Sequence, residues 1–383
     1  MTINLVAKKI VAFVLKKKTM LLLNSKISRI LKNVKDYSDV PEPSKEEKVE
    51  HRKLWISYDN NINTTWLKVY GTISGIRSVY YVPENVYYSE IEPRLNNRAF
   101  SKAYTDKNFY NAYLDQEILP EVVLHSVNGV YYDSAYSTRG KNFNIEIWSR
   151  IFENGKYVIK PTVDTGGGAG VRIFKISNDR FELNPKITEV SSFIDLIRYY
   201  KRDFVIQKYI EQHHFFSQFN PDSLNTIRIL TYRSLLNENI VILHRILRMG
   251  KSGSVVDNQA SGGIACGIDS EGVLSDFGVD KYGNKHSDSN GVIFKNIGHI
   301  PFLDSVSAVA VKVARKFLYS RLLGMDFGVD RNGKVFLIEV NDSNNEINFY
   351  QMNNGPLFGE YTEEVSRLCI LEPKSIVIDY NLD

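Results

Sequence analysis

The chain of 383 residues is poor in cysteine: it has two, Cys266 and Cys369, far apart and without a second Cys or a His at metal-ligand spacing. That scarcity argues against a disulfide scaffold and a zinc module, and suits a reducing, cytoplasmic compartment. Long apolar runs are missing too; none approaches the roughly 20 residues needed to cross a bilayer. There is no internal repeat and no low-complexity tract. With 43% hydrophobic and 24% charged residues the composition is that of an ordinary globular protein, which excludes a mainly disordered chain, a collagen-like repeat and a polytopic membrane protein.

The third absence is local. Residues 1–35 contain no acid but nine Lys or Arg, whereas the remainder carries 39 basic against 44 acidic side chains. The body is therefore slightly acidic, and no nucleic-acid partner is expected for it. Within residues 1–35 the apolar positions (Ile3, Val6, Ile10, Phe13, Val14, then Leu21, Leu22, Leu23, Ile27, Ile30, Leu31) recur at steps of three and four, the pattern of an amphipathic helix. Asn24-Ser25 is expected to break it, with Ser25 capping a second helix. Lys16-Lys17-Lys18 follow the first apolar stretch too closely for a signal peptide. Two readings stand side by side. The helix lies peripherally on an anionic membrane face, each basic residue contributing ~1 kcal/mol, or it packs its stripe on the body. The charged, proline-containing stretch Val40–Arg52 reads as a linker, so the folded body is expected to begin near Leu54.

Residues 54–150 mix short aromatic strand candidates, such as Val79–Val82, with helical patches, such as Asn108–Leu119. Beyond them the strand signals strengthen: Tyr157–Pro161, Val171–Ile176, Phe204–Ile210, Thr226–Arg233, Ile240–Met249, Met325–Val329 and Val335–Asn341. Helical periodicity marks Ser191–Tyr200 and Ser305–Leu323. Hairpin-linked strands interspersed with helices predict an α+β fold with antiparallel sheets, not a doubly wound parallel one.

The segment Gly324–Asn341 carries the clearest chemistry. Asn332-Gly333 is a strong hairpin signal, because a type I′ turn needs positive φ at both central residues. If those two residues form the turn, Arg331 faces Lys334 and, counting outward, Asp326 falls opposite Glu339. Asn341 then projects from the same face two residues further on. Directly paired residues have Cβ atoms roughly 5 Å apart, and two acids that close repel unless a cation or proton intervenes. An all-oxygen set suits Mg²⁺, which takes one or two carboxylates together with substrate phosphates. The bland alternative is the solvent-facing rim of an ordinary hairpin.

A second constellation lies upstream. Tyr157–Pro161 reads as a short strand carrying Lys160, and Thr162–Gly170 (TVDTGGGAG) follows it. Four glycines in five positions let backbone N–H groups wrap an anion unobstructed. The loop lacks Gly-Lys-Ser/Thr and runs between two strands, so it is neither a Walker A loop nor a dinucleotide fingerprint. A glycine-rich hairpin loop without a ligand has the same composition.

Taken in order, these features resemble the ATP-grasp superfamily: a Lys-Pro strand with a glycine-rich loop, a strand ending Gln207-Lys208-Tyr209-Ile210, a later arginine, and Glu-Val-Asn on a C-terminal hairpin. Leu224–Thr231 (LNTIRILT), Arg248-Met-Gly250 and Val255–Ile264 (VVDNQASGGI) are most similar to its sugar-transfer-associated branch. The resemblance covers roughly residues 80–360. It implies two α+β subdomains that clamp ATP between antiparallel sheets. Expected boundaries are 1–53 for the basic helices and linker, 54–125 for a smaller N-terminal region, 126–210 for the small subdomain with its lid, and 211–383 for the large subdomain.

Residue roles follow from the same resemblance. Lys107 and Lys160 would contact ATP, Gly166, Gly167, Gly168 and Gly170 would form a lid over the β- and γ-phosphates, and backbone groups of Gln207, Lys208, Tyr209 and Ile210 would read the adenine edge. His213 would lie near the ribose and Asn258 near the nucleotide. Asp326, Glu339 and Asn341 would hold two Mg²⁺ ions, while Arg248 and Arg228 would be catalytic, Arg248 steadying the transferring phosphoryl group. Gln207 stands where the resemblance often has Glu at the hinge. The implied activity is ATP-dependent carboxylate–amine ligation in capsule or exopolysaccharide synthesis, acting on a small molecule or glycan precursor. A phosphotransferase and a nucleotide-binding subunit of a glycan-synthesis complex are the alternatives. Specificity is expected to come from residues 54–150 and from Asp342–Glu360, where Gln351, Asn353 and Asn354 supply polar groups.

Overall fold

In the computed structural model, residues 3–33, 42–141, 152–162, 168–178, 180–188 and 190–372 are described. Gly166 and Gly167 of the glycine loop lie outside them. Seven strands, β1 (Val122–Val127), β2 (Val130–Tyr132), β3 (Thr138–Gly140), β4 (Gly155–Pro161), β5 (Arg172–Ser177), β6 (Arg180–Asn184) and β7 (Phe204–Lys208), build one sheet in the order β3-β2-β1-β7-β4-β5-β6. Its buried face, with Ile159, Phe174, Phe204 and Ile206, packs on Leu196 and Ile197 of the helix Phe193–Tyr200. That helix starts where Ser192 and Asp195 form a capping box, each side chain accepting the other's backbone N–H.

The second sheet uses β8 (Thr226–Arg233), β9 (Ile240–Met249), β10 (Ile264–Ile268), β11 (Leu274–Val279), β12 (Lys285–His286), then, after the small pair β13 (Asp288–Ser289) and β14 (Val292–Ile293), β15 (Leu322–Val329) and β16 (Val335–Asn341). Its order is β12-β11-β10-β9-β8-β15-β16. Strand pairs in both sheets are antiparallel, for example β8 with β9 and β4 with β5. This is the expected α+β architecture. Strands β8 and β15 are buried over nearly their whole length. The second sheet is sandwiched: Val306, Ala310 and Val313 of the helix Leu303–Ala314 cover one side, and Tyr350 and Phe349 of the helix Ile347–Asn354 help cover the other.

The N-terminal region departs from expectation three times. Helix α1 (Ile3–Asn33) is continuous through Asn24-Ser25; the Ser28 hydroxyl donates to Asn24 O at 2.9 Å, inside the helix. The presumed linker is in large part helix α2 (Lys45–Trp55), started by a Ser44–Glu47 capping box, with His51 and Trp55 buried. The signal Ser44-x-x-Glu47 stood in the sequence, masked by the surrounding charge. Val79–Val82 is not a strand. His51 Nδ1 lies 2.8 Å from Val79 O, Trp55 Nε1 donates to Tyr81 O at 3.1 Å, and the Gln351 side chain satisfies both backbone groups of Val82. Side chains there do the work of a partner strand. Helix α3 (Thr65–Ser74) completes this region with Trp66, Val69 and Tyr70 buried. Among the described residues no helix is long and apolar enough to cross a membrane.

Candidate active site

Strand register builds the centre of the site. Asp326 on β15 pairs with Glu339 on β16 and, on its other side, with Arg228 on β8, so the three form one row across three strands. The Asp326–Glu339 pairing holds although the turn differs from the expected one. Asp330 N donates to Lys334 O and Gly333 alone takes positive φ (84°), so the loop is one residue longer than a type I′ turn. A one-residue register shift between Asp326 and Phe327 compensates. Two offsets cancel.

Arginines close on Asp326 from the next two strands of the sheet, β8 and β9. Arg228 grips it with two nitrogens, Nε donating to Oδ1 at 2.6 Å and Nη2 to Oδ2. Arg248 on β9 donates from Nη1 to Oδ2 at 2.8 Å and lies 3.4 Å from Asp257 through Nη2. Burial opposes the charge on Asp326, but the two guanidinium groups outweigh it and hold the carboxyl down at about 2. Burial pushes Asp257 up, with Arg248 pulling against it; Thr226 donates to its Oδ2 from both N–H and hydroxyl. Arg228 also lies 5.5 Å from the ring centroid of Phe349.

Two lysines approach as well, one from the first sheet and one from a 3₁₀ turn. Lys160 near the end of β4 is buried, and its Nζ donates to Ile338 O of β16 at 3.5 Å, bridging the sheets. Burial first, and Lys107 second, push its ammonium down to about 7, against the pull of Glu339. Lys107, which begins a short 3₁₀ turn after Asp106, donates to Glu339 Oε1 at 2.5 Å.

Between the sheets these groups line one cavity. It brings together Lys107, Lys160, Arg248, Asp326, Glu339, Asn258, Gly168 and the run Gln207–Ile210. Val158, Ile173, Leu224 and Ile338 give it an apolar lining on which a planar ring can rest. Gly168 sits over the segment Val256–Asn258: a Cβ there would come within 2.8 Å of Asn258 Nδ2, and its φ is +68°. Along the hinge run, the N–H groups of Lys208 and Tyr209 are already committed to Glu121 O and Lys156 O. They are not the donors for a base edge.

Four expected residues are not among those lining the cavity: His213, Asn341, Arg228 and Gly170. His213 caps a short helix by accepting from Phe215 N–H at Nδ1 and packs its ring 4.9 Å from Phe302. Arg228 acts behind Asp326. Asn341 lies two register positions beyond the carboxylates, opposite Gly324, and its buried Nδ2 has no hydrogen-bond partner among the described residues. Asp257 and Thr226 belong to the site but were assigned no role from sequence. The signals were Thr226 standing inside the LNTIRILT run and Asp257 inside the VVDNQ run.

The donor set fits magnesium in one specific way. Among the described residues no cluster of three or more His, Cys, Asp or Glu is placed to hold an ion unaided. Two carboxylates in register are what Mg²⁺ uses when phosphate oxygens complete its octahedron; the orphan atom of Asn341 is a nitrogen donor, so this residue could join them only through Oδ1. Lys107, Lys160 and Arg248 around the same space suit the polyphosphate.

A family model described as sugar-transfer associated ATP-grasp matches residues 87–367. Similar solved structures include the biotin carboxylase domain of Hydrogenobacter thermophilus 2-oxoglutarate carboxylase in complex with MgADP, ADP and bicarbonate, at 15% identity and a TM-score of 0.38, covering 70% of this chain and 45% of that one. N5-carboxyaminoimidazole synthetase from Staphylococcus aureus, complexed with ADP, matches at 10% identity and a TM-score of 0.37, with 72% and 52% covered. D-alanine–D-alanine ligase from Bacillus anthracis matches at 13% identity and a TM-score of 0.37, with 70% and 69% covered. The chain spans about half the length of the first two. No curated protein matches the sequence.

Proposed function

Since the chain belongs to the sugar-transfer associated ATP-grasp family, we propose that it is an ATP- and Mg²⁺-dependent ligase that activates a carboxylate as an acyl phosphate and joins it to an amine, in the synthesis of a cell-surface glycan. The observation that carries this reading is the Glu339–Asp326 pair facing Lys107, Lys160 and Arg248 across one cavity beneath Gly168.

A carboxylate resists amide formation because its leaving group would be oxide. Attack of a carboxylate oxygen on the γ-phosphorus, with ADP leaving, gives an acyl phosphate. Attack of an amine on that carbonyl carbon, with loss of a proton, expels phosphate. Negative charge gathers on the transferring group in the first step, and Lys160 and Arg248 are placed to oppose it. Glu339 and Asp326, with Asn341 adjacent, would hold magnesium, which when bound would neutralise charge on the phosphate oxygens. Arg228 keeps Asp326 ionised and oriented. The Gly168 turn against Val256–Asn258 excludes water, which would otherwise hydrolyse the acyl phosphate. The glycan assignment draws on the family's association with sugar transfer.

The test is incubation of the full chain with ATP, Mg²⁺ and a panel of sugar acids and amino acids, with and without hydroxylamine. Hydroxamate formation coupled to ADP release supports the ligase. A stable phosphorylated product from a hydroxyl acceptor refutes it in favour of phosphotransfer, and absence of turnover across the panel favours a nucleotide-binding subunit.

A further inference from the structure

Helix α1 is too rich in apolar side chains for the use the fold makes of them. Its inward face is settled: Ile27 and Ile30 are buried in a cluster with Trp66 and Tyr70 of α3. Two ion pairs fix its rotation, Lys26 with the buried Glu84 at 2.7 Å and Lys16 with the nearly buried Glu90. On the other side, Ile10, Phe13, Val14, Leu21 and Leu22 are 57–70% exposed. Their spacing of three, four and seven puts them on one face. Lys17 and Lys18 are exposed between the two apolar groups, and Arg29 and Lys32 are exposed further along. No acid occurs anywhere in residues 1–35.

A solvated helix face is polar; this one combines exposed apolar side chains with basic ones and excludes acids. We propose that the outward face of α1 is a seat for an anionic lipid surface. The helix would lie in the interface plane with Phe13, Val14, Leu21 and Leu22 immersed below the headgroups. Lys17, Lys18, Arg29 and Lys32 would meet the lipid phosphates. Charge complementarity selects this occupant over a second copy of the chain, since two such faces would set lysines against lysines. The two readings of the sequence are then both realised, the C-terminal half of α1 packing inward and the exposed stripe facing lipid. The inference is independent of the ATP reading. The two meet in one contact: Glu84, which holds Lys26, also accepts from Asn348 of the helix Ile347–Asn354 behind the site.

The experiment is flotation of the full chain with phosphatidylcholine vesicles, with and without about one-third phosphatidylglycerol, at low and high salt. The expected result is binding to the anionic vesicles alone, weakened by salt. Lys17→Gln/Lys18→Gln should lower the partition about 30-fold, roughly fivefold per lysine. Phe13→Ser/Val14→Ser should lower it at least about tenfold. Thermal unfolding of both variants should be unchanged, because the substituted side chains are exposed. Absence of flotation, or flotation unaffected by either double substitution, overturns the proposal. So does concentration-dependent dimerisation that Phe13→Ser/Val14→Ser abolishes in a protein that ignores vesicles; that result assigns the face to a second copy.

Discussion

Lys160 should take up a proton when a nucleotide binds. Burial and the neighbouring Lys107 push its ammonium down to about 7 in the free protein. It is therefore half charged at pH 7 and about 10% charged at pH 8. A triphosphate against Nζ returns the group to its ordinary range near 10.5. Binding should then consume about 0.1 proton per site at pH 6, about 0.5 at pH 7 and about 0.9 at pH 8. Calorimetric titration with a nonhydrolysable ATP analogue and Mg²⁺, in buffers of different ionisation enthalpy, reads this number directly. Lys160→Met should remove the uptake and at least about 100-fold of the turnover. The same substitution should raise stability at pH 7. A folded pKa below the unfolded one means that the unfolded chain binds the extra proton between about 7 and 10.5. Stability from this group therefore rises with pH through that window and is lowest, and level, below it. Removing the amine relieves at most about 5 kcal/mol. Proton uptake that stays constant with pH, or that persists in Lys160→Met, would refute the placement of this lysine against the phosphates.

Other outcomes follow from the same geometry. Glu339→Gln should cut turnover at least about 100-fold while changing stability by no more than about 1 kcal/mol, because its pairing with Lys107 is partly exposed; full activity would remove Glu339 from the metal site. Asp326→Asn should abolish turnover and also cost about 3–5 kcal/mol in urea unfolding, since Arg228 and Arg248 both lose their shared counter-ion in a buried place; unaltered stability would show that the arginines do not depend on it. Gly168→Ala should raise KM for ATP roughly 5–30-fold, because φ of +68° strains any side chain by about 1–2 kcal/mol and the Cβ collides with Asn258 and Val256; steady-state kinetics with unchanged KM would dismiss the turn from the lid. His51, His125 and His244 are buried and held down at about 4, chiefly by burial. The unfolded chain binds more protons between about 6.5 and 4, so stability present at pH 7 falls with pH through that window, by about 2 kcal/mol per histidine at pH 5. A flat urea-midpoint profile from pH 7 to 5 would refute it.

Much of the site was legible because its parts are local. The hairpin Gly324–Asn341 announced itself through Asn332-Gly333 and apolar alternation, and register then placed Asp326 against Glu339. That success rested on a cancellation: the loop holds one residue more than a type I′ turn, and a bulge restores the count before the carboxylates. Period-2 patterning cannot show either offset, since both leave the same residues on the strands. The strand list was close for the same local reason, with Thr226–Arg233, Ile240–Met249 and Val335–Asn341 matching throughout. Failures came where side chains from afar satisfy a backbone, as Gln351 does for Val82, or where a charge run hid a capping box, as at Ser44–Glu47.

Sequence alone determined the α+β class, the family, the lysine before the glycine loop and the paired carboxylates, because each is written within a few dozen consecutive residues. Tertiary structure decided which cations serve which carboxylate, that His213 caps a helix beside Phe302, and that α1 turns Ile27 and Ile30 inward while Phe13 and Leu21 face out. Those choices depend on groups dozens to hundreds of residues apart meeting in a buried space. There the cost of an unpaired charge or an unfilled apolar contact, not local propensity, selects the partner.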